Sequence, residues 1–181
     1  RQGGRYFYSH NSGLQNQRVL LVADSLAAEP RELLDPNKLS ADGTVSLTGF
    51  DVSEDGSSIA YGLSRAGSDW QEWRVRDVAT GKDRDDLVEW VKFSGASWAH
   101  DGSGFFYSRF DTPKDGAHLT GKNEFQKLYF HRLGTKQSDV FAYVACFIFA
   151  VYWAIVPGGV VGYTGAIYGR KTLGKIWGLA T

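Results

Sequence analysis

The chain has 181 residues, enough for one ordinary domain and a short additional segment. Its 20 basic and 20 acidic side chains cancel to a net charge of zero, which excludes the basic footprint of a nucleic-acid or polyanion binder. Hydrophobic residues make up 43% and aromatic residues 14%; with 22 glycines, this supports a core of strands and tight turns rather than long helices.

In chain order, the first 139 residues read as short strands broken by turn signals. The chain holds no methionine and opens at Arg1 inside what reads as a strand, Arg5-Tyr6-Phe7-Tyr8, so it reads as cut from a longer protein, a deliberately trimmed chain being the alternative. Strands are predicted over 4–11, 18–24 and 31–34, the last bracketed by Pro30 and the turn Asp35-Pro36-Asn37. Further strands are predicted over 46–52, 57–64, 70–78, 91–98, 104–110 and 126–133. The pairs Asp42-Gly43, Asp55-Gly56 and Asp101-Gly102 mark hairpins, because glycine accepts the positive φ that such turns need. Asp83, Asp85 and Asp86, interleaved with Lys82 and Arg84, read as a solvated turn.

A repeat is visible within this region. Phe50-Asp51-Val52-Ser53-Glu54-Asp55-Gly56-Ser57-Ser58-Ile59-Ala60-Tyr61-Gly62 aligns with Ala96-Ser97-Trp98-Ala99-His100-Asp101-Gly102-Ser103-Gly104-Phe105-Phe106-Tyr107-Ser108 at an offset of about 46 residues, the length of a four-stranded propeller blade. Gly4-Arg5-Tyr6-Phe7-Tyr8 matches the second half of the same unit. The predicted fold is therefore mainly β: a partial β-propeller of about two to three four-stranded blades over 1–139. Such units bury their cores against neighbours, so this piece leaves open edges.

The composition changes at Val140. Residues 140–169 carry no charge, and 140–156 are continuously apolar apart from tyrosine hydroxyls and one indole. That run sits at the lower limit of about 17 residues for a membrane-spanning helix and lengthens only if the helix kinks past Pro157. Residues 140–181 are thus a hydrophobic tail expected to be helical. A transmembrane anchor, misjoined or frame-shifted coding sequence and a buried core helix are all open readings. If the segment spans a membrane, Arg170, Lys171 and Lys175 put the C-terminus in the cytosol. Cys146 is the single cysteine, which excludes an internal disulfide; its apolar surroundings predict an inert buried thiol.

Many short words fall in one order: Gly13-Leu14-Gln15-Asn16-Gln17, Leu34-Asp35-Pro36-Asn37, Asp42-Gly43-Thr44-Val45, Ser53-Glu54-Asp55-Gly56, Ala60-Tyr61-Gly62-Leu63-Ser64, Gly67-Ser68-Asp69-Trp70, Val91-Lys92-Phe93-Ser94 and Gln126-Lys127-Leu128-Tyr129. In that order they resemble the N-terminal β-propeller of the prolyl oligopeptidases, or prolyl endopeptidases, of serine peptidase family S9A. The resemblance runs from about residue 3 to residue 139 and stops where the tail begins.

The resemblance implies a cytoplasmic serine peptidase that cuts short peptides after proline, needs no cofactor and wears its propeller as a gate over an α/β-hydrolase domain. That catalytic domain and short proline-containing peptides are the implied partners; the tail adds a membrane as an alternative one. Phe93 looks like the propeller phenylalanine that lines an outer substrate subsite. Asp69 looks like the aspartate that faces the catalytic domain and pairs with a basic residue there. The alternative reading is a membrane-tethered, non-catalytic β interaction module.

No catalytic residue is expected in this chain. A serine hydrolase needs a nucleophile, a base and an oxyanion site, and no Gly-x-Ser-x-Gly word is present. His100 beside Asp101 suggests an acid–base pair, but it fills the slot of Glu54 in the repeat and reads better as a turn residue. His10, His100, His118 and His131 lack metal-ligand spacing, so no metal site is expected. Trp70, Trp73, Trp90 and Trp98 read as blade core in preference to a ligand cage.

Overall fold

The computed structural model describes residues 1–113 and 123–137. The chain divides into two units, Arg1–Asp139 and Val140–Thr181; the fold described here belongs to the first. The apolar run at 140–156, Cys146, His118 and the basic residues at 170–175 lie outside the described residues. Among the described residues, no helix is long and apolar enough to cross a membrane.

Among the described residues ten strands follow one another as antiparallel meanders: β1 (Tyr6–His10), β2 (Val19–Ala23), β3 (Arg31–Leu34), β4 (Val45–Val52), β5 (Ser58–Arg65), β6 (Gln71–Asp77), β7 (Asp83–Val91), β8 (Ser97–Trp98), β9 (Gly104–Arg109) and β10 (Lys127–Arg132). A short 3₁₀ turn, Pro36–Lys38, is capped by the Asp35 carboxylate, which accepts from the Asn37 N–H. The strands form three sheets of order β1-β2-β3, β4-β5-β6-β7 and β10-β9-β8. The middle sheet is a complete four-stranded blade and the outer two are incomplete, so the sheets do not close into a ring, as expected of a partial propeller.

The repeat explains which strands are missing. In the middle sheet the turn between β4 and β5 is closed by Ser53 N–H donating to Ser58 C=O and Gly56 N–H donating to Ser53 C=O, at 2.9 and 2.8 Å. Between β8 and β9 the same two bonds recur as Ala99 to Gly104 and Gly102 to Ala99, both 2.9 Å. At the start of the chain Gln2 and Arg5 exchange both backbone bonds around Gly3-Gly4. Thus β1 is the counterpart of β5, and only Gln2 represents the innermost strand of the first sheet. In the last sheet β10 is the counterpart of β6, so it is the outer strand that is lacking among the described residues.

Period-two alternation places the core. Ile59, Tyr61 and Leu63 on β5 pack with Leu20 and Val22 of β2, Leu34 of β3 and Val45 and Val52 of β4 in one cluster between the first and middle sheets. Strand β5 is buried from Ser58 to Ser64 because both of its faces are covered. The opposite face needs a small residue: a Cβ on Gly62 would lie 2.7 Å from the Trp73 ring and 2.6 Å from Thr48 Oγ1. The sheets are also tied by polar groups. Arg76 forks onto Asp83 at 2.7 and 3.0 Å and donates to Leu33 C=O at 2.7 Å, while Trp98 Nε1 donates to Asp51 C=O at 3.0 Å.

Three expectations are corrected. The predicted strand over 91–98 does not exist as one element: Val91 ends β7, and only Ser97–Trp98 is strand. The break comes at Phe93, whose φ of 52° lies outside the extended region, after a first distortion within β7 at Trp90, φ 63°. Residues 83–86 are the start of β7 and not a solvated turn, and Asp86 is buried. Asp42-Gly43 does not turn a hairpin; it lies in the connection from the 3₁₀ turn to β4, with Gly43 at φ 69°.

Candidate functional site

Antiparallel meandering sorts the connections onto two ends of the sheets. The β4–β5, β6–β7 and β8–β9 turns share one end, the turn end. The β5–β6 and β9–β10 connections and the crossover from β7 to β8 share the other, the loop end. Both residues singled out by family likeness, Asp69 and Phe93, lie at the loop end.

Asp69 belongs to the turn between β5 and β6. Arg65 C=O accepts from Ser68 N–H at 2.9 Å, and Ser68 Oγ accepts from Trp70 N–H at 3.1 Å. These bonds pin the residues on either side of Asp69. Its own carboxylate is exposed and makes no hydrogen bond to the described residues.

The segment from Trp90 to Phe93 is held from three directions. Trp90 C=O accepts from Phe110 N–H at 3.1 Å. The Trp70 ring meets Trp90 edge-on at 5.7 Å and Phe110 at 6.2 Å. Lys92 is buried, with Nζ 4.2 Å from the Trp70 ring centroid and 3.4 Å from Asn123 Oδ1, and its C=O accepts from Gln126 Nε2 at 2.9 Å. Ser94 Oγ accepts from Ser108 N–H at 2.8 Å. Burying an ammonium is costly unless it is compensated; the indole face and the Asn123 amide supply that compensation.

With both neighbours anchored, Phe93 is turned outward and is 71% exposed. A left-handed backbone costs a non-glycine residue on the order of 1 kcal/mol. Leaving a phenylalanine in water forgoes about 1.5–3 kcal/mol of burial. Phe125 has the same character, with φ 61° and 77% exposure. A cavity of about 340 Å³ opens beside Trp70 and Trp90, rimmed by Arg65, Glu72 and Glu89.

The structure joins the Asp69 and Phe93 segments through their neighbours, since Lys92 rests on Trp70. The four tryptophans do not form a cage. Trp73 lies over Gly62, and Trp98 packs on Phe105 at 5.7 Å; Trp70 and Trp90 stand apart at the loop end. His100 is a turn residue, with Nδ1 2.7 Å from Glu54 Oε2 of the equivalent turn. Asp101 is engaged by Ser103, not by His100, and the Ser103 hydroxyl and N–H hold its carboxyl below the usual range.

One pair was not foreseen. His131 Nε2 lies 2.8 Å from Asp86 Oδ1, and that oxygen also accepts from Gly134 N–H at 2.7 Å. Both side chains are almost fully buried and link β7 of the middle sheet to β10 of the last. The available signal was alternation: His131 shares the buried face of β10 with Tyr129, so it had to find a polar partner inside. No serine hydroxyl is bonded to a histidine among the described residues, and no described group of three His, Cys, Asp or Glu could hold a metal.

Comparison with known proteins agrees with this architecture. Residues 1–145 match the family model described as the prolyl oligopeptidase N-terminal beta-propeller domain. The prolyl endopeptidase of Elizabethkingia meningoseptica is 46% identical over 137 residues, covering 75% of this chain and 19% of that protein. Prolyl oligopeptidase A of Amanita bisporigera is 36% identical over 163 residues, covering 75% and 21%. Among solved structures, one from a structural and mechanistic study of two prolyl endopeptidases superposes with a TM-score of 0.66 at 39% identity, covering 76% of this chain and 19% of that one. Prolyl oligopeptidase B of Galerina marginata, bound to a 35mer hydrolysis and macrocyclization substrate, gives 0.67 at 28% identity, covering 75% and 22%. The chain therefore spans about a fifth of the length of these relatives, and within that fifth it belongs to the prolyl oligopeptidase N-terminal β-propeller family.

Proposed function

We propose that this chain is part of the gating propeller of a cytoplasmic serine peptidase that cleaves short peptides after proline. Its share of the work is recognition and access, while the bond-breaking groups lie in a catalytic domain outside it. In this reading Phe93 lines an outer substrate subsite, and Asp69 pairs with a basic residue of the catalytic domain.

The observation that carries the reading is the loop end itself. It presents a strained, exposed Phe93 and an exposed Asp69 whose anchoring neighbours are locked to each other. Strain of this kind persists where surrounding structure over-determines it, and it concentrates at ligand clamps.

The test is made in the full-length peptidase carrying this segment. Phe93→Ala raises KM about 10-fold for short proline-containing peptides and leaves kcat within about 2-fold, the pattern of lost uniform binding. Asp69→Asn increases cleavage between propeller and catalytic domain by an added protease. The 181-residue chain alone gives no turnover of such a peptide. Unchanged KM for Phe93→Ala would remove the subsite assignment, and turnover by the isolated chain would remove the division of labour.

A further inference from the structure

We propose that Phe125 is a second specificity-determining residue, forming with Phe93 the two aromatic walls of one apolar subsite for the peptide. This rests on the subsite reading of Phe93 and extends it to a residue from a different sheet.

Phe93 follows β7 of the middle sheet, and Phe125 precedes β10 of the last. The residues beside them are bonded directly: Gln126 Nε2 donates to Lys92 C=O at 2.9 Å, and Asn123 Oδ1 meets Lys92 Nζ at 3.4 Å. The two segments therefore form one unit at the loop end. Within it, Phe93 and Phe125 share the same combination of left-handed backbone and exposed ring. Only Ala66 and Trp90 also have positive φ among the described non-glycine residues, and neither is an exposed large hydrophobic. Lys92 Nζ, Asn123 Oδ1 and Gln126 Nε2 are engaged inside the unit. What remains facing outward is the pair of aromatic rings, with the exposed Glu124 beside Phe125. Such a surface takes an apolar side chain or a proline ring, whose pre-set backbone loses little entropy against an aromatic wall.

The occupant follows from continuity. The ring already assigned to substrate is Phe93, and Phe125 is carried on the segment clamped to it. A catalytic-domain surface is the competing occupant, and the experiment separates the two. In the full-length peptidase, kcat and KM are measured for Phe93→Ala, Phe125→Ala and Phe125→Leu. The substrates are two series of short proline-containing peptides, with leucine or glycine at the position sensitive to Phe93→Ala. Phe125→Ala is expected to raise KM about 10-fold for the leucine series and less than about 2-fold for the glycine series, with kcat unchanged. Phe125→Leu restores most of the loss. An effect of Phe93→Ala without one of Phe125→Ala would overturn this inference and leave the Phe93 reading standing. No effect of either would overturn both. Unchanged KM for Phe125→Ala with faster proteolysis between the domains would assign the ring to the domain interface and end the proposal.

Discussion

The two ends of the sheets solve the same backbone problem with different residues. At the turn end, positive φ falls on Gly3, Gly4, Gly56, Gly81, Gly102 and Gly134, and small polar groups finish the turns. At the loop end, glycine still serves at Gly13, Gly43 and Gly67, but positive φ also falls on Ala66, Trp90, Phe93 and Phe125. A turn that only reverses the chain selects glycine, because glycine bears that geometry without strain. Large aromatic residues hold the same geometry at the loop end, Trp90 by packing on Trp70 and Phe93 with its ring exposed, and strain of this kind concentrates at functional sites.

Substitutions can break or sharpen this contrast, beginning with the largest effect. A Cβ at Gly104 would lie 2.0 Å from His131 C=O, an approach that only backbone movement relieves. Gly104→Ala should therefore destabilise the chain by about 4 kcal/mol or more, read as a shift in denaturant midpoint. Next is the buried pair. Asp86→Ala strips His131 and the Gly134 N–H of their acceptor and should cost about 3 kcal/mol; Asp86→Asn, which keeps an acceptor oxygen, should cost less. Third, Gly56→Ala introduces a side chain at φ 68° and within 2.7 Å of Gln2 C=O, for about 1–2 kcal/mol. The mirror experiment at the loop end, Phe93→Gly, should cost less than about 0.5 kcal/mol, because relief of strain offsets the entropy of the unfolded glycine. Equal losses for Gly56→Ala and Phe93→Gly would erase the contrast.

The smallest effect is one of pH. The Ser53 hydroxyl and the Ser57 N–H hold the Asp55 carboxyl below its ordinary value, and Ser103 does the same for Asp101. A depressed folded-state pKa adds stability above the unfolded value of about 3.9, and that stability is lost as pH falls through the folded value. Acid unfolding should therefore steepen below about pH 4, and Asp55→Asn should flatten it. The repeat predicts a similar flattening for Asp101→Asn.

The turn end was legible in the sequence and the loop end was not, for a physical reason. Asp55-Gly56 and Asp101-Gly102 announce their turns because residue type and backbone geometry are coupled there. The repeat, the hairpin positions and strands such as Arg31–Leu34 followed from that coupling and from alternation. Trp90 and Phe93 carry no such mark: valine, lysine and aromatic residues in a row favour an extended chain, so 91–98 read as one strand. Tertiary ties from Phe110, Asn123, Gln126 and Ser108 override that preference, and they come from residues 14 or more positions away. The acidic run at 83–86 misled for a similar reason, since only the fold brings His131 to Asp86. Phe93 and Asp69 were reached by family likeness alone, whereas Phe125 needed its exposure and its backbone angle.

What the Phe93 side chain faces decides whether the loop end meets substrate. A photoreactive benzoylphenylalanine at position 93 of the full-length protein carrying this segment, irradiated with a short proline-containing peptide present, reads this directly. The predicted product is an adduct between residue 93 and the peptide, suppressed by excess unlabelled peptide. Crosslinks confined to the protein, unchanged by peptide, would contradict the assignment of the loop end to substrate recognition.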